Sequence, residues 1–329
     1  DCMVVDKYIT YIYIYVMPVK IAKIKDKRVQ IQIPPNSRCP IETSENLFQH
    51  HVNMLAISKR GGGKTVLLTN YMRMLKEENC LDRLFVISPT IESNRALVES
   101  LNVKNEDIYD PEERGVVELL MEQIDLERDR YVGELEKIKR YTQFQKLLKS
   151  DIPVGCIDAD LLIEFSDYLD NSSLEPPQLK YGHRPFLHCF VDDCQSTAVF
   201  RDKMFHHLAI RSRHVGIMPY KKNDPEMCGA LGISLYIAVQ NFTAGNSGSC
   251  PRCVRNNVTQ MAICGTSKDE AELMNIYKSV AGEIPYDKFM AAYEYATKET
   301  YGSLIIDLNP KKTALSKFRK DFNEYIILD

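Results

Sequence analysis

The chain has no tryptophan, no disulfide-like cysteine framework, no long apolar run and almost no net charge. Each absence removes a class of protein. Its 329 residues carry a formal charge of −3, so no global field draws it to nucleic acid or to a membrane, and any polyanion site must be local. The basic stretches Lys20–Arg28, Lys137–Lys149 and Lys311–Lys320 read as solvated surface before they read as DNA contacts. Ten scattered cysteines and no secretory signal point to a reduced, intracellular compartment. Cys250 and Cys253 are the one close pair; a zinc site needs a second, which Cys228 and Cys264 do not make, so the pair reads as two reduced thiols. The longest apolar run, Tyr8–Met17, is about half of what a membrane-spanning helix requires. Its first reading is sequence upstream of the natural start; a strand is the alternative, and a membrane anchor comes third. Met17 is the candidate natural start, which would make residues 1–16 upstream sequence. Tyrosine (18) and phenylalanine (12) supply the aromatic bulk that tryptophan does not. There is no internal repeat and no low-complexity segment.

What is present centres on M-L-A-I-S-K-R-G-G-G-K-T-V-L-L, residues 54–68. An apolar strand (Met54–Ile57) enters a glycine-rich turn, then Lys64-Thr65, then a helical pattern. In such an arrangement backbone N–H groups and a helix N-terminus hold a phosphate chain. The cradle is Ser58, Lys59, Arg60, Gly61, Gly62, Gly63, Lys64 and Thr65. Lys64 is expected to reach the β- and γ-phosphates of ATP, and the Thr65 hydroxyl to sit on Mg²⁺. One residue departs from the G-x-x-x-x-G-K-[ST] pattern: its first glycine is Ser58 here.

Elsewhere the patterning alternates strands with helices. Val29–Ile33 has period two and ends at Pro34-Pro35. Leu68, Tyr71, Met72 and Leu75 make Thr65–Glu78 an amphipathic helix. Leu84–Ser88, Phe186–Val191, Leu231–Val239, Val258–Cys264 and Ser303–Leu308 are near-continuously apolar, which predicts a parallel sheet covered on both faces. Pro111 to about Ser150 is a charged helical stretch with a narrow apolar stripe and a Glu136–Arg140 pair at i,i+4; it predicts a projecting helix or helical hairpin. A further helix is expected at Asp158–Leu169. The domain reading is an N-terminal segment (1–28), a nucleotide-binding domain (29–310) with a helical insertion at about 111–180, and a basic C-terminal tail (311–329).

Five apolar strands end in polar groups: Ser58–Thr65, Pro89-Thr90, Asp192-Asp193, Gln240-Asn241 and Gly265-Thr266-Ser267. In open parallel sheets, ligands bind outside the carboxyl ends of the strands, so these groups can converge. Asp192, 127 positions after Thr65, would be the second metal anchor. Asp193 would orient or deprotonate the attacking water, and Gln240 would sense the γ-phosphate or that water. The plainer reading makes the aspartates strand-end or capping residues and Gln240 a loop amide. Arg211, Arg213, Arg252 and Arg255 are candidates for the extra positive charge that such hydrolysis draws from a neighbouring subunit; each is otherwise a surface ion-pair residue.

Together these segments resemble the FtsK–HerA superfamily of DNA-pumping ATPases. More closely, they look like the genome-packaging ATPases of double-jelly-roll DNA viruses: poxviruses, giant viruses, virophages and Polinton-type elements. The match is carried by S-K-R-G-G-G-K-T (58–65), F-V-D-D-C-Q (190–195), R-S-R-H (211–214), G-I-S-L-Y-I-A-V-Q-N (232–241), R-N-N (255–257) and Y-E-Y-A-T-K-E-T-Y-G-S-L-I-I-D (293–307). It spans roughly Val29 to Leu308. The resemblance implies an α/β P-loop NTPase fold of ASCE, RecA-like type, with a mainly parallel sheet flanked by helices and a projecting helical insertion. It implies ATP and Mg²⁺ as cofactors, Asp193 as catalytic carboxylate, Gln240 as sensor, and Arg255 or Arg213 as the arginine acting in trans. Its implied partners are double-stranded DNA and capsid or portal-vertex proteins, with a homo-oligomeric ring (pentamer or hexamer) and no membrane. The setting would be host cytoplasm or viral factory, or the virion itself. Besides Ser58, one stretch departs from the pattern: Val215–Leu231 separates His214 from Gly232-Ile233-Ser234. It reads as a surface loop or as the mark of a decayed or imperfectly read gene. The rival functions are another DNA pump or helicase of the superfamily, and a non-hydrolysing DNA-binding or assembly protein derived from one.

Overall fold

The apolar segments assemble into one nine-stranded sheet. A computed structural model describes residues 43–90, 99–150, 152–170, 173–219, 221, 224–243, 250–265 and 269–328. The expected strand Val29–Ile33, the run Tyr8–Met17, the basic stretch Lys20–Arg28 and Thr266-Ser267 lie outside the described residues. In chain order the strands and α-helices are β1 (Asn53–Ile57), α1 (Lys64–Glu77), β2 (Arg83–Ile87), β3 (Ile108–Tyr109), α2 (Val116–Leu148), α3 (Ala159–Glu164), α4 (Asp167–Asp170), β4 (Leu187–Val191), α5 (Ala198–Arg201), α6 (Lys203–Arg211), β5 (Ser234–Val239), α7 (Arg252–Arg255), β6 (Gln260–Cys264), α8 (Glu270–Val280), α9 (Tyr286–Ala296), β7 (Ser303–Asp307), β8 (Phe318–Lys320) and β9 (Glu324–Ile326).

The sheet order is β3-β2-β4-β5-β1-β6-β7-β8-β9. Strands β1 to β6 pair parallel to one another, and β7, β8 and β9 extend the sheet antiparallel. Side chains of a strand point alternately to its two faces, and the strands divide accordingly. Leu55, Ile57, Phe85, Ile87, Cys189, Val191, Leu235, Ile237, Met261 and Ile263 join the core beneath α2, α6, α8 and α9. Met54, Ala56, Val86, Phe190, Tyr236, Ala238 and Ala262 join the core beneath α1, where Leu68, Tyr71, Met72 and Leu75 close it. The mainly parallel, doubly covered α/β sheet is as the patterning predicts, except at Ser303–Leu308, expected to run parallel and antiparallel here as β7.

Four local expectations change. The tail at 311–329 is partly sheet: β8 and β9 are built from it, and Arg319 is buried between the rings of Phe48 and Tyr325. The long helix α2 is not simply projecting. The part up to Leu135 puts Val116, Val117, Leu120, Ile124, Tyr131 and Leu135 into the main core, while Phe144 near its end packs with Ile157, Leu161 and Phe165 in a small separate cluster. Glu136 and Arg140 do not pair with each other; Lys221 takes Glu136 and Glu164 takes Arg140. Long-range partners outcompete an i,i+4 pair worth only a few tenths of a kcal/mol, roughly 0.2–0.5. The single helix expected at Asp158–Leu169 is two short ones, broken at Phe165-Ser166.

The stretch Val215–Leu231 folds back on itself. Ile217 and Ala230 form an antiparallel bridge, Met218 N–H donates to Gly229 O (2.9 Å), and Gly232 N–H donates to Val215 O (3.0 Å). Val215, Met218, Met227 and Leu231 lie in the main core. Its two ends thus meet, so the segments flanking it are contiguous in space although separated in sequence.

Candidate active site

The loop after β1 leaves the sheet with Ser58 N–H still donating to Val239 O of β5 (3.1 Å). Gly61 (φ +76°) and Gly63 (φ +85°) adopt the left-handed conformation that favours glycine, and Gly63 caps α1. Helix α1 begins with Lys64, and Leu67 N–H closes its first turn on Gly63 O (2.8 Å). The N-terminal N–H groups and the positive end of the helix dipole consequently face the concavity of the loop, the arrangement that binds phosphate. Lys64 Nζ donates to Ser58 O (2.6 Å) and Lys59 O (3.2 Å), which keeps the ammonium folded over the loop. Burial lowers its pKa, opposed by the carboxylates of Asp192 and Asp193.

The sheet order brings the carboxylates to this loop. Strand β5 lies between β1 and β4, so the ends of β1, β5 and β4 are successive neighbours. Asp192 is 4 % exposed, and Thr65 Oγ1 donates to its Oδ2 at 2.9 Å. Burial raises the Asp192 pKa, and the Thr65 hydrogen bond and the Lys64 charge act the other way. A hydroxyl and a carboxylate oxygen in contact, both hard donors beside a phosphate cradle, fit Mg²⁺, which is held by one or two carboxylates together with substrate phosphates. Asp193, exposed and at φ +53°, turns its carboxylate to Gln240, whose Nε2 donates to Oδ1 at 3.0 Å. The loop residues Ser58–Thr65, Asp192, Asp193 and Gln240 therefore share one end of the sheet.

Of the two arginines that the resemblance implies, Arg213 sits apart from that cluster, while Arg255 stacks on Phe242, two residues past Gln240. Arg213 is exposed in the turn after α6, next to Ser212, whose carbonyl accepts from Ile233 N–H at the entry to β5. That is the sheet end opposite the loop. Arg255, at the end of α7, lies half-buried with its guanidinium 5.1 Å from the centre of the Phe242 ring. Its Nε is buried without a hydrogen-bond partner among the described residues.

No family model matches the chain, and no curated protein matches it. Among solved structures it is similar to the genome packaging NTPase B204 from Sulfolobus turreted icosahedral virus 2. With that protein's complex with ATP-gammaS the identity is 13 %, the match covers 79 % of this chain and 93 % of that one, and the TM-score is 0.41. The AMPPCP complex gives 14 %, 79 %, 93 % and 0.40.

Two neighbours of the cluster were not among the expected site residues. Gln195 Oε1 accepts from Gln240 N–H while its Nε2 donates to Asn241 O (3.1 Å), so one amide fastens the end of β5 to the turn after β4. The signal was its place in F-V-D-D-C-Q. Tyr301, between α9 and β7, lines the loop pocket. Ser58, the departure from the glycine pattern, is fully buried and is not among the residues with positive φ. Its backbone needs no glycine. Ser58→Gly is accordingly expected to change nucleotide affinity by less than about fivefold, the scale of a glycine entropy penalty, when titrated by calorimetry.

Proposed function

We propose that this chain is an ATP-hydrolysing motor that translocates double-stranded DNA into a preformed viral capsid. One observation supports hydrolysis above all: the Thr65–Asp192 contact beside the phosphate loop, with Asp193 and Gln240 joined at the neighbouring strand end. The packaging role rests on the sequence resemblance. In this reading the domain is 29–310, with the 111–180 segment inserted in it, and it acts in the host cytoplasm, viral factory or virion as a ring.

The loop N–H groups and Lys64 would bind the β- and γ-phosphates, and Thr65 and Asp192 would hold Mg²⁺. When bound, the ion would supply positive charge against the negative charge that develops on the phosphates. Asp193 accepts the proton of the attacking water, and the Gln240 amide, already bonded to that carboxylate, orients the water with it. Gln195 holds Gln240 in register. A guanidinium from a neighbouring subunit, Arg255 or Arg213, would complete the charge around the γ-phosphate.

The test is ATP turnover with and without double-stranded DNA, paired with a strand-separation assay. A packaging motor gives turnover that double-stranded DNA stimulates, without strand separation. Strand separation would make it a helicase, and absence of turnover would leave an assembly protein.

A further inference from the structure

The carboxylates occupy only one flank of the phosphate loop, the β5–β4 side. The other flank carries Tyr301. Because β7 runs antiparallel to β6, its beginning lies at the same sheet end as the loop, and Tyr301 stands two residues before it. The residue is at φ +68°, an uncommon conformation for a bulky side chain. The turn that holds it is tight: a Cβ on Gly302 would fall 2.4 Å from Ala296 O, and Gly302 O accepts from Gly265 N–H (3.2 Å). The backbone thus fixes the ring against the loop, where Cδ1 would lie 3.1 Å from a Cβ on Gly63. Yet the ring is not core, for Tyr301 is 64 % exposed and Val66, on the first turn of α1, is 61 % exposed. Gly61–Val66 and Tyr301 together line a pocket of about 270 Å³.

We propose that Tyr301 is the nucleobase-stacking residue of this site, with Val66 supplying the aliphatic contact beside it. This rests on the nucleotide reading above. A triphosphate whose γ end faces Asp193 and Gln240 extends the opposite way across the start of α1, toward the β6–β7 flank. What that flank offers is an exposed aromatic face and an apolar side chain, surfaces suited to a flat base. Stacking is sequence-tolerant because every base has a π-face, so Tyr301 adds affinity without selecting adenine.

Calorimetric titration of wild type, Tyr301→Ala and Tyr301→Phe with Mg-ATP, Mg-GTP and inorganic tripolyphosphate tests this. Tyr301→Ala should weaken ATP and GTP alike, by about tenfold or more. It should leave tripolyphosphate binding and the melting temperature unchanged, and Tyr301→Phe should restore both nucleotides. Wild-type ATP affinity in Tyr301→Ala would overturn the proposal, as would an equal loss for tripolyphosphate, because the ring would then shape the loop instead of holding a base. If wild type bound neither ATP nor tripolyphosphate, the nucleotide reading itself would fall.

Discussion

Asp193→Asn is expected to cut ATP turnover by a factor on the order of 10²–10⁴ while leaving ATP binding intact. The asparagine keeps the shape of the side chain and can still bond Gln240, whose Nε2 lies 3.0 Å from Asp193 Oδ1. What it loses is the capacity to accept a proton from water. Asp193 is exposed and lies outside the Thr65–Asp192 contact, so its neutralisation should not disturb the metal anchor or the phosphate cradle. Phosphate release and nucleotide titration, run on the same preparation, separate the two effects. Full turnover in Asp193→Asn would remove it from the role of base.

A second large effect is expected from acid, at the other end of the sheet. His50 stacks on Phe186 with centroids 4.2 Å apart, and burial takes its pKa from 6.5 to about 3. His51 is pressed against Gly232 and lowered to about 4, again chiefly by burial. His188 is enclosed between Tyr236 Oη (3.0 Å) and Cys80 O (2.8 Å), and burial lowers it to about 4. Below pH 6.5 the unfolded chain takes up protons that the folded chain refuses, so stability is whole above 6.5 and falls as the pH drops toward 4. At pH 5 the gap from 6.5 corresponds to about 2 kcal/mol for each histidine. Denaturant midpoints should therefore drop sharply between pH 7 and pH 5. His188→Asn and His50→Asn should each flatten that dependence, whatever they do to stability at pH 7. An unchanged wild-type midpoint at pH 5 would show that these imidazoles ionise freely in the folded protein.

The phosphate loop was legible because everything that makes it is local: an apolar strand, glycines where φ must be positive, and a helix that starts at Lys64. Asp192, Asp193 and Gln240 were legible because a parallel sheet gathers the ends of its apolar strands. The direction of β7 was not. S-L-I-I-D reads as a buried strand in either orientation, and the orientation comes from a tight turn after α9 whose geometry leaves little trace in composition. Tyr301 was hidden for the same reason, since it matters only once β7 is reversed. The C-terminal residues looked like a basic tail because Lys311, Lys312, Lys317, Arg319 and Lys320 dominate their composition; the burial of Arg319 among them depends on Phe48, far away in sequence. The histidine group was invisible likewise, its members coming from separate segments. Ser58 is the opposite case. The pattern flagged it, and its backbone conformation removes the objection.

In the proposed function, the loop between β1 and α1 binds a nucleoside triphosphate for hydrolysis. Lys64 is the residue on which that binding depends most directly, since its ammonium is folded over the cradle onto Ser58 O and Lys59 O. The decisive measurement is steady-state phosphate release from ATP by wild type and by Lys64→Ala under identical conditions. The substitution is expected to slow release by a factor on the order of 10²–10³, the scale of losing one charge-stabilising donor. A wild-type protein that releases phosphate no faster than Lys64→Ala would contradict the proposed function.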